Sequence, residues 1–326
     1  LQGLLGERGY RTVGISQSFI VSSAYGLDAG FGGFYLNDQL NGLQLRSQDA
    51  RSFLASWLSQ QDGVSPVFAY VHTVDPHAPY AEGVPETLEA QGKISDSAAV
   101  AHLRSLYDTE VRYTDRELGR FLDLLKWLGL YERSFVILTS DHGEEFAEHG
   151  GLEHGKTLFE EVLRVPLIVK YPGGRWAGQR VGGAVSLVDV VPTVLAGLTP
   201  PLEADLDGKP LPGPETAQRR DQPVYFEVAP AWEPESSKPR VDLRGLVSGG
   251  VKCIEDRTAA RLQAFALASD PAERQALPQE SAEAAHCRQL LDGWSRTRER
   301  RVKEQRSRRR ASPEALEHLK ALGYVN

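Results

Sequence analysis

Short β-rich apolar runs, each followed by an amphipathic stretch of helical length, recur along the first 200 residues, and this alternation constrains the fold more than any other feature. It is the pattern of parallel strands joined by crossover helices. Thr12 to Ile15 reads as a strand. Ala50, Phe53, Leu54, Trp57 and Leu58 then fall at helical spacing ahead of a second strand, Val67 to Val71. The clearest helix carries Leu103, Leu106, Tyr107, Val111, Thr114, Leu118, Phe121, Leu122, Leu125 and Leu128 at steps of three and four. Gly129 supplies its left-handed stop, and the strand Phe135 to Thr139 follows. Pro166 to Lys170 reads as another strand, ended by the turn chemistry of Tyr171-Pro172-Gly173-Gly174, and a helix is expected over Val188 to Leu198.

Beyond 199 the text changes to proline-rich loops around one strand-like run, Val224 to Val228. Hairpin strands follow at Gly245 to Ile254 and Leu262 to Ala268, and a helix at Ala282 to Arg301. The expected class is α/β: a mostly parallel sheet sandwiched by helices, with a small C-terminal antiparallel sheet plus helix. The expected organisation is an α/β domain over 1–200, a C-terminal subdomain over 201–295 and a basic helical tail over 296–326. A composition of 41% hydrophobic and 25% charged residues excludes disorder and fibres. No apolar run approaches the ~20 residues that a membrane span needs.

The segment Arg296 to Arg310 holds nine Lys or Arg and two Glu. No aromatic residue interleaves those charges for base stacking, so it reads as a solvated helix and linker, with no nucleic-acid partner expected. Cys253 and Cys287 lack metal spacing, and pairing and free burial are equally compatible with their positions. There is no Met, and position 1 is Leu. The chain therefore reads as processed or as an excerpt, and a leader upstream of Leu1 is neither implied nor excluded.

Chemistry concentrates in two loops. Thr139-Ser140-Asp141-His142-Gly143-Glu144-Glu145 follows one strand directly, and side chains at the carboxyl end of a parallel strand face the crevice where open α/β sheets bind ligands. Asp141 and His142 are adjacent, which suits a metal ion gripped in a tight turn; a carboxylate and an imidazole accommodate calcium, manganese, iron or zinc. The other loop, His72-Thr73-Val74-Asp75-Pro76-His77-Ala78-Pro79-Tyr80, opens after Val67 to Val71. Five of the eight histidines (72, 77, 142, 149 and 154) lie in these loops and in the continuation Glu148 to Lys156. Imidazoles and an ammonium around a metal are what a tetrahedral oxyanion ester requires, because cationic donors neutralise its non-bridging oxygens.

At VHTVDPHAPY (71–80), LYDTEVRYTDRELGRFLDLLKWLGLYERSFVILTSDHGEEFAEHGG (106–151) and HGKTLFEEVLRVPLIVKYPGG (154–174) the chain resembles the sulfatases of the alkaline-phosphatase superfamily. The likeness continues through VDVVPTVLAGL, FALASDPAERQAL and the closing LEHLKALGYV seen in bacterial sulfatase-like chains. The resemblance implies Asp141 and His142 as ligands of one divalent metal ion, calcium by family habit. His142 stands where many calcium sulfatases have Asn, which opens manganese or zinc and points to the branch with phosphate and phosphonate ester hydrolases and phosphoethanolamine transferases. It implies His77 as the group that binds the sulfuryl oxygens or protonates the leaving group. Lys156 and His154 flank the family's lysine position, and both are named as anion binders. His72 and His149 are second choices, orienting neighbours, serving a second metal or meeting substrate, with a plain hydrogen-bonding role equally compatible; Glu144 and Glu145 cap or orient the loop without a catalytic role.

The family's Cys/Ser-x-Pro-x-Arg nucleophile motif, the source of formylglycine, does not occur in these 326 residues; Ser237-Lys238-Pro239-Arg240 is one residue short of it. The resemblance therefore implies a formylglycine nucleophile upstream of Leu1, and an isolated chain that is inactive. The expected function of the intact protein is metal-dependent hydrolysis of a sulfated small molecule or glycan. The alternatives are phosphoryl chemistry of the same superfamily and a non-catalytic binding module. A periplasmic or secreted location is implied by the same resemblance, with specificity set by loops such as Glu82 to Ser97.

Overall fold

The computed structural model describes residues 1–18, 20–36, 46–78, 80, 97–202, 206–214, 222–228 and 241–308, with side chains described as far as 301. The specificity loop expected over Glu82 to Ser97, Ser97 itself apart, lies outside those residues, as do the Ser237 to Arg240 run and the closing 316–325 segment. The chain divides into two compact units, one formed by 1–154 with 161–218 and the other by 155–160 with 219–326.

In the first unit, β1 (Arg11–Ser16) lies between β2 (Gly33–Leu36) and β3 (Val67–His72), all parallel, with Ser16 opposite His72. The period of two decides what each face meets. Val13 and Ile15 point to one side and pack on Ala50 and Leu54 of α2 (Ser47–Ser59), with Trp57, Val71 and Phe121 around them. Each of these aliphatic side chains contributes roughly 1.5–3 kcal/mol by leaving water. The other side carries Gly14, whose added Cβ would sit 2.4 Å from the Phe34 ring, so only glycine lets that ring lie against the sheet. Before β1 comes the short α1 (Gln2–Gly6), and α3 (Ser97–Trp127) packs against α2.

The strand expected at Phe135 to Thr139 is β4 (Val136–Thr139), and its pairing corrects the expectation. It is hydrogen-bonded antiparallel to β7 (Leu167–Lys170), with Val136 opposite Lys170 and Thr139 opposite Leu167. Between them, β5 (Glu145–Phe146) and β6 (Leu152–Glu153) form a tight antiparallel pair, followed by α4 (Glu160–Leu163); α5 (Val190–Ala196) comes after β7. A buried cluster of Tyr80, Leu103 and Leu152, with Ala78, Tyr107 and Phe146 against it, fastens the end of the β3 loop and the β5–β6 pair to α3. That packing brings the two histidine-bearing loops together.

The second unit is a four-stranded antiparallel sheet in the order β11 (Arg261–Ala266), β10 (Val251–Asp256), β9 (Leu243–Ser248), β8 (Val224–Val228). Gly249 and Gly250, at φ 56° and 78°, make the two-residue turn between β9 and β10, which demands positive φ at both positions. The helix α6 (Ala282–Arg308) lays Ala284, Cys287 and Leu291 on Leu246, Cys253, Leu262 and Ala264. Cys253 and Cys287 are joined as a disulfide. Lys252 is fully buried and meets Glu273 at 2.9 Å and Glu160 at 3.1 Å. Among the described residues, no helix is long and apolar enough to cross a membrane.

Candidate functional site

The site is built from three chain segments of the first unit. His72 ends β3, and a turn closed by the His77 N–H on the Val74 carbonyl (2.9 Å) presents His77. Asp141 and His142 follow β4. The chain behind them is drawn against residues 161–162, where the Gly143 N–H donates to the Val162 carbonyl at 2.7 Å and the Glu144 N–H to the Glu161 carbonyl at 3.0 Å. His154 follows β6. It is aimed by Glu153, which takes a left-handed φ of 69°, a conformation that non-glycine residues hold only when their surroundings impose it.

Three imidazoles converge there. The rings of His142 and His154 stack with centroids 3.7 Å apart, and His77 turns its edge to them, 5.1 Å from His154 and 6.4 Å from His142. In each ring Nδ1 is committed. That of His77 lies 2.6 Å from the Ala78 carbonyl, that of His142 2.8 Å from the Gly143 carbonyl, and that of His154 3.0 Å from Glu144 Oε1. A carbonyl oxygen only accepts, so Nδ1 of His77 and of His142 carries the proton. Nε2 is left as the end that can meet a metal or a substrate.

Asp141 is well exposed, and its Oδ2 lies 3.8 Å from His142 Nε2. That separation is close to what two ligands of one ion show at metal–ligand distances of ~2.1–2.3 Å. Two side chains are fewer than the four or more ligands that such an ion takes. Among the described residues, no group of three or more His, Cys, Asp and Glu side chains is disposed to hold a metal.

Electrostatics sort the histidines. His72 lies 3.4 Å from the Ser16 hydroxyl. Burial lowers its pKa, opposed by the Asp141 charge and reinforced by His142 and His77, so it stays neutral near pH 7. His154 is raised, chiefly by its hydrogen bond to Glu144. Burial alone would raise Glu144, but hydrogen bonds from His154 and Tyr80 hold its carboxyl below the ordinary value.

Glu144 has the orienting place expected of it, and its contacts reach further than the sequence indicates. Its carboxylate is almost fully buried, accepts the Tyr80 hydroxyl at 2.7 Å and orients His154, tying the ends of three loops into one chain of hydrogen bonds. The only signal was its place directly after Asp141-His142-Gly143. Glu145, fully buried, accepts the N–H groups of His149 and Gly151 at 3.1 and 2.7 Å, the loop-capping role expected of it. His149 is engaged by Glu161, at 2.5 Å from Nδ1. Lys156 belongs to the 155–160 segment, which is part of the second unit.

The sulfatase family profile matches residues 1–199. Arylsulfatase K of Bos taurus is 31% identical over 162 residues, covering 50% of this chain and 28% of that protein. N-acetylgalactosamine-6-sulfatase of Mus musculus is 33% identical over 200 residues, covering 58% and 35%. The chain thus spans about a third of the length of these curated relatives. Among solved structures, a putative sulfatase from Bacteroides thetaiotaomicron superposes with a TM-score of 0.69 at 17% identity, covering 96% of this chain and 77% of that one. The phosphonate monoester hydrolase of Agrobacterium radiobacter gives 0.66 at 19%, covering 91% and 80%. At such identities the superpositions speak for the fold, which is alkaline-phosphatase-like.

Proposed function

This chain belongs to the sulfatase family, and on that premise we propose that the protein hydrolyses sulfate esters at the cluster of Asp141, His142, His77 and His154. One observation carries the reading. Three imidazoles gather with ring centroids within 6.4 Å of one another and their Nδ1 atoms tied back to acceptors, which leaves the Nε2 of His142 for a metal and those of His77 and His154 for the oxygens of a tetrahedral anion.

His154 has its proton affinity raised by Glu144, and when protonated it offers a charged N–H to an ester oxygen. His77, with Nδ1–H held by the Ala78 carbonyl, presents Nε2 to the leaving oxygen; in its doubly protonated form the ring gives the Nε2 proton to that oxygen and is left neutral with Nδ1–H in place. Asp141 and His142 hold a divalent metal, which supplies charge neutralisation to the ester and the nucleophile when bound. Calcium is the family's habit, and the imidazole of His142 suits manganese or zinc. His72, kept neutral by burial, orients the edge of the site. The anion-binding role of Lys156 rests on its place in the sequence, two residues beyond His154, and His149 serves to pin its loop through Glu161.

The formylglycine nucleophile is assigned upstream on the family resemblance. The substrate is read as a sulfated glycan or a smaller sulfate ester. N-acetylgalactosamine-6-sulfatase acts, by its name, on a sulfated amino sugar, and we extend that class to this chain. A periplasmic or secreted location is favoured by the Cys253–Cys287 disulfide, since such bonds persist in oxidising compartments.

The test is to express the complete gene product and assay it on paired aryl sulfate and aryl phosphate substrates, with Asp141→Ala beside it. Sulfate turnover that disappears in the variant supports the reading. Phosphate turnover alone moves the protein to the phosphoryl branch, and unaltered activity in Asp141→Ala removes the site assignment.

A further inference from the structure

The turn that leads to His77 carries a cluster of charges, two buried carboxylates joined by a half-exposed arginine, that the reaction above does not use. Asp75, two residues earlier, has only 2% of its side chain exposed and accepts from Arg46 Nε at 2.9 Å. It also accepts the Ser47 N–H at 3.0 Å and the Ser47 hydroxyl. The Arg46 guanidinium reaches on to Glu110 of α3, itself nearly buried, and lies 3.8 Å above the Tyr113 ring. On the strand side, the Val74 N–H donates to Gln17 Oε1 at 3.0 Å.

The turn Val74–His77 has no sheet ladder of its own. Such a segment samples several backbone states unless its polar groups are tied down. Here the ties run to three separate elements: the end of β1 through Gln17, the first turn of α2 through Ser47, and α3 through Arg46 and Glu110. Capping α2 would need only a short oxygen acceptor such as Ser or Asn. A desolvated carboxylate clamped by a guanidinium that is itself shared with a second carboxylate does more than cap. It fixes the direction in which the turn presents its last residue, through a planar, multi-donor fork that lysine cannot reproduce.

We propose that Asp75, clamped by Arg46 and Glu110, is a positioning residue that sets the His77 imidazole against the His142–His154 pair. The inference rests on the reading of His77 as the proton source for the leaving oxygen. A misplacement of about 1 Å at such a group lowers turnover by up to about a hundredfold while leaving binding nearly intact.

The experiment uses the complete gene product with Asp75→Asn, Arg46→Gln, Arg46→Lys, His77→Ala and the double variant Asp75→Asn/His77→Ala. These are assayed on aryl sulfates of good and poor leaving groups beside thermal unfolding. Asp75→Asn and Arg46→Gln should lower kcat on the poor leaving group at least about tenfold, with KM within about threefold. Good leaving groups should be far less affected, and Arg46→Lys should recover part of the loss. The double variant should be no slower than His77→Ala alone, because a residue that acts through His77 has nothing left to position.

A loss in the double variant equal to the product of the single losses overturns the proposal, as does a uniform loss on all substrates that follows the unfolded fraction. If the wild type turns over no sulfate ester, it is the functional reading that fails. The positioning claim is then decided by imidazole nitrogen–proton NMR spectra. His77 signals that shift and broaden in Asp75→Asn while those of His149 stay put support it, and unchanged His77 signals overturn it.

Discussion

Replacing Gly143 by alanine places a methyl group where the chain has no room. The added Cβ would stand 2.1 Å from the Glu161 carbonyl oxygen and 3.3 Å from the Val162 Cα. A tolerable contact needs about 3.0–3.2 Å, so the two backbone segments must separate by roughly 1 Å. They are joined at this point by the Gly143 N–H to Val162 carbonyl bond (2.7 Å) and the Glu144 N–H to Glu161 carbonyl bond (3.0 Å). Opening the gap stretches both beyond hydrogen-bonding distance. Two lost backbone bonds at ~1 kcal/mol each and an overpacking term of ~1–3 kcal/mol give a destabilisation of about 3–5 kcal/mol. For a unit of this size that is a fall in Tm of roughly 10 °C. The same movement displaces Asp141 and His142 on one side and Glu144 on the other, so turnover by the complete gene product should fall at least about tenfold. Calorimetry and steady-state kinetics on the alanine variant decide the matter. A Tm within about 2 °C of wild type, with activity retained, would show that residues 161–162 do not hold the loop and would refute the reasoning.

Three other perturbations have definite expected outcomes. The Glu144–His154 pair should make stability depend on pH in a set window, because Glu144 is lowered from 4.5 and His154 raised from 6.5. The carboxylate's contribution exists above its unfolded pKa and is lost as pH falls through its folded value, whereas the imidazole's is complete below 6.5 and is lost as pH rises through its folded value. Urea unfolding of the metal-free chain should therefore show its largest deficit for Glu144→Gln between 4.5 and 6.5 and a smaller one in alkali; a deficit independent of pH would contradict the pairing. Reducing the Cys253–Cys287 bond, which spans 34 residues, should destabilise the second unit by about 2–4 kcal/mol. Two titratable thiols in the unfolded, unreduced protein would disprove the bond. Lys252→Ala leaves Glu273 and Glu160 without their buried cation and should cost about 3–5 kcal/mol; near-wild-type urea resistance would mean that the pair is not desolvated as described.

Much of the architecture is legible in the residues because burial imposes a period. The 3.6-residue rhythm from Leu103 to Leu128 marks α3, and the runs at 67–71 and 224–228 mark β3 and β8. Strand β2 was invisible, being four residues long, next to glycines and without alternation. The direction of β4 was equally hidden. A strand's apolar composition does not record whether its neighbour runs parallel, so the antiparallel partner β7 could be found only in three dimensions. At the site, the Asp141-His142-Gly143 run and the clustering of histidines were readable because their chemistry is local. The Tyr80–Glu144–His154 relay was not, since its members stand 64 and 10 residues apart. Nor was the grouping of Lys156 with the second unit, which follows from Glu160 meeting Lys252 and Glu273 far along the chain.

The central claim is that His77 and His154 together receive one tetrahedral anion beside a metal held by Asp141 and His142. A crystal structure of the complete gene product grown with sulfate and a divalent metal tests it directly. The account predicts tetrahedral density within about 3 Å of Nε2 of His77 and His154, with a metal peak touching Asp141 and His142. Full-occupancy metal and sulfate bound elsewhere, with these three rings meeting only solvent, would contradict it.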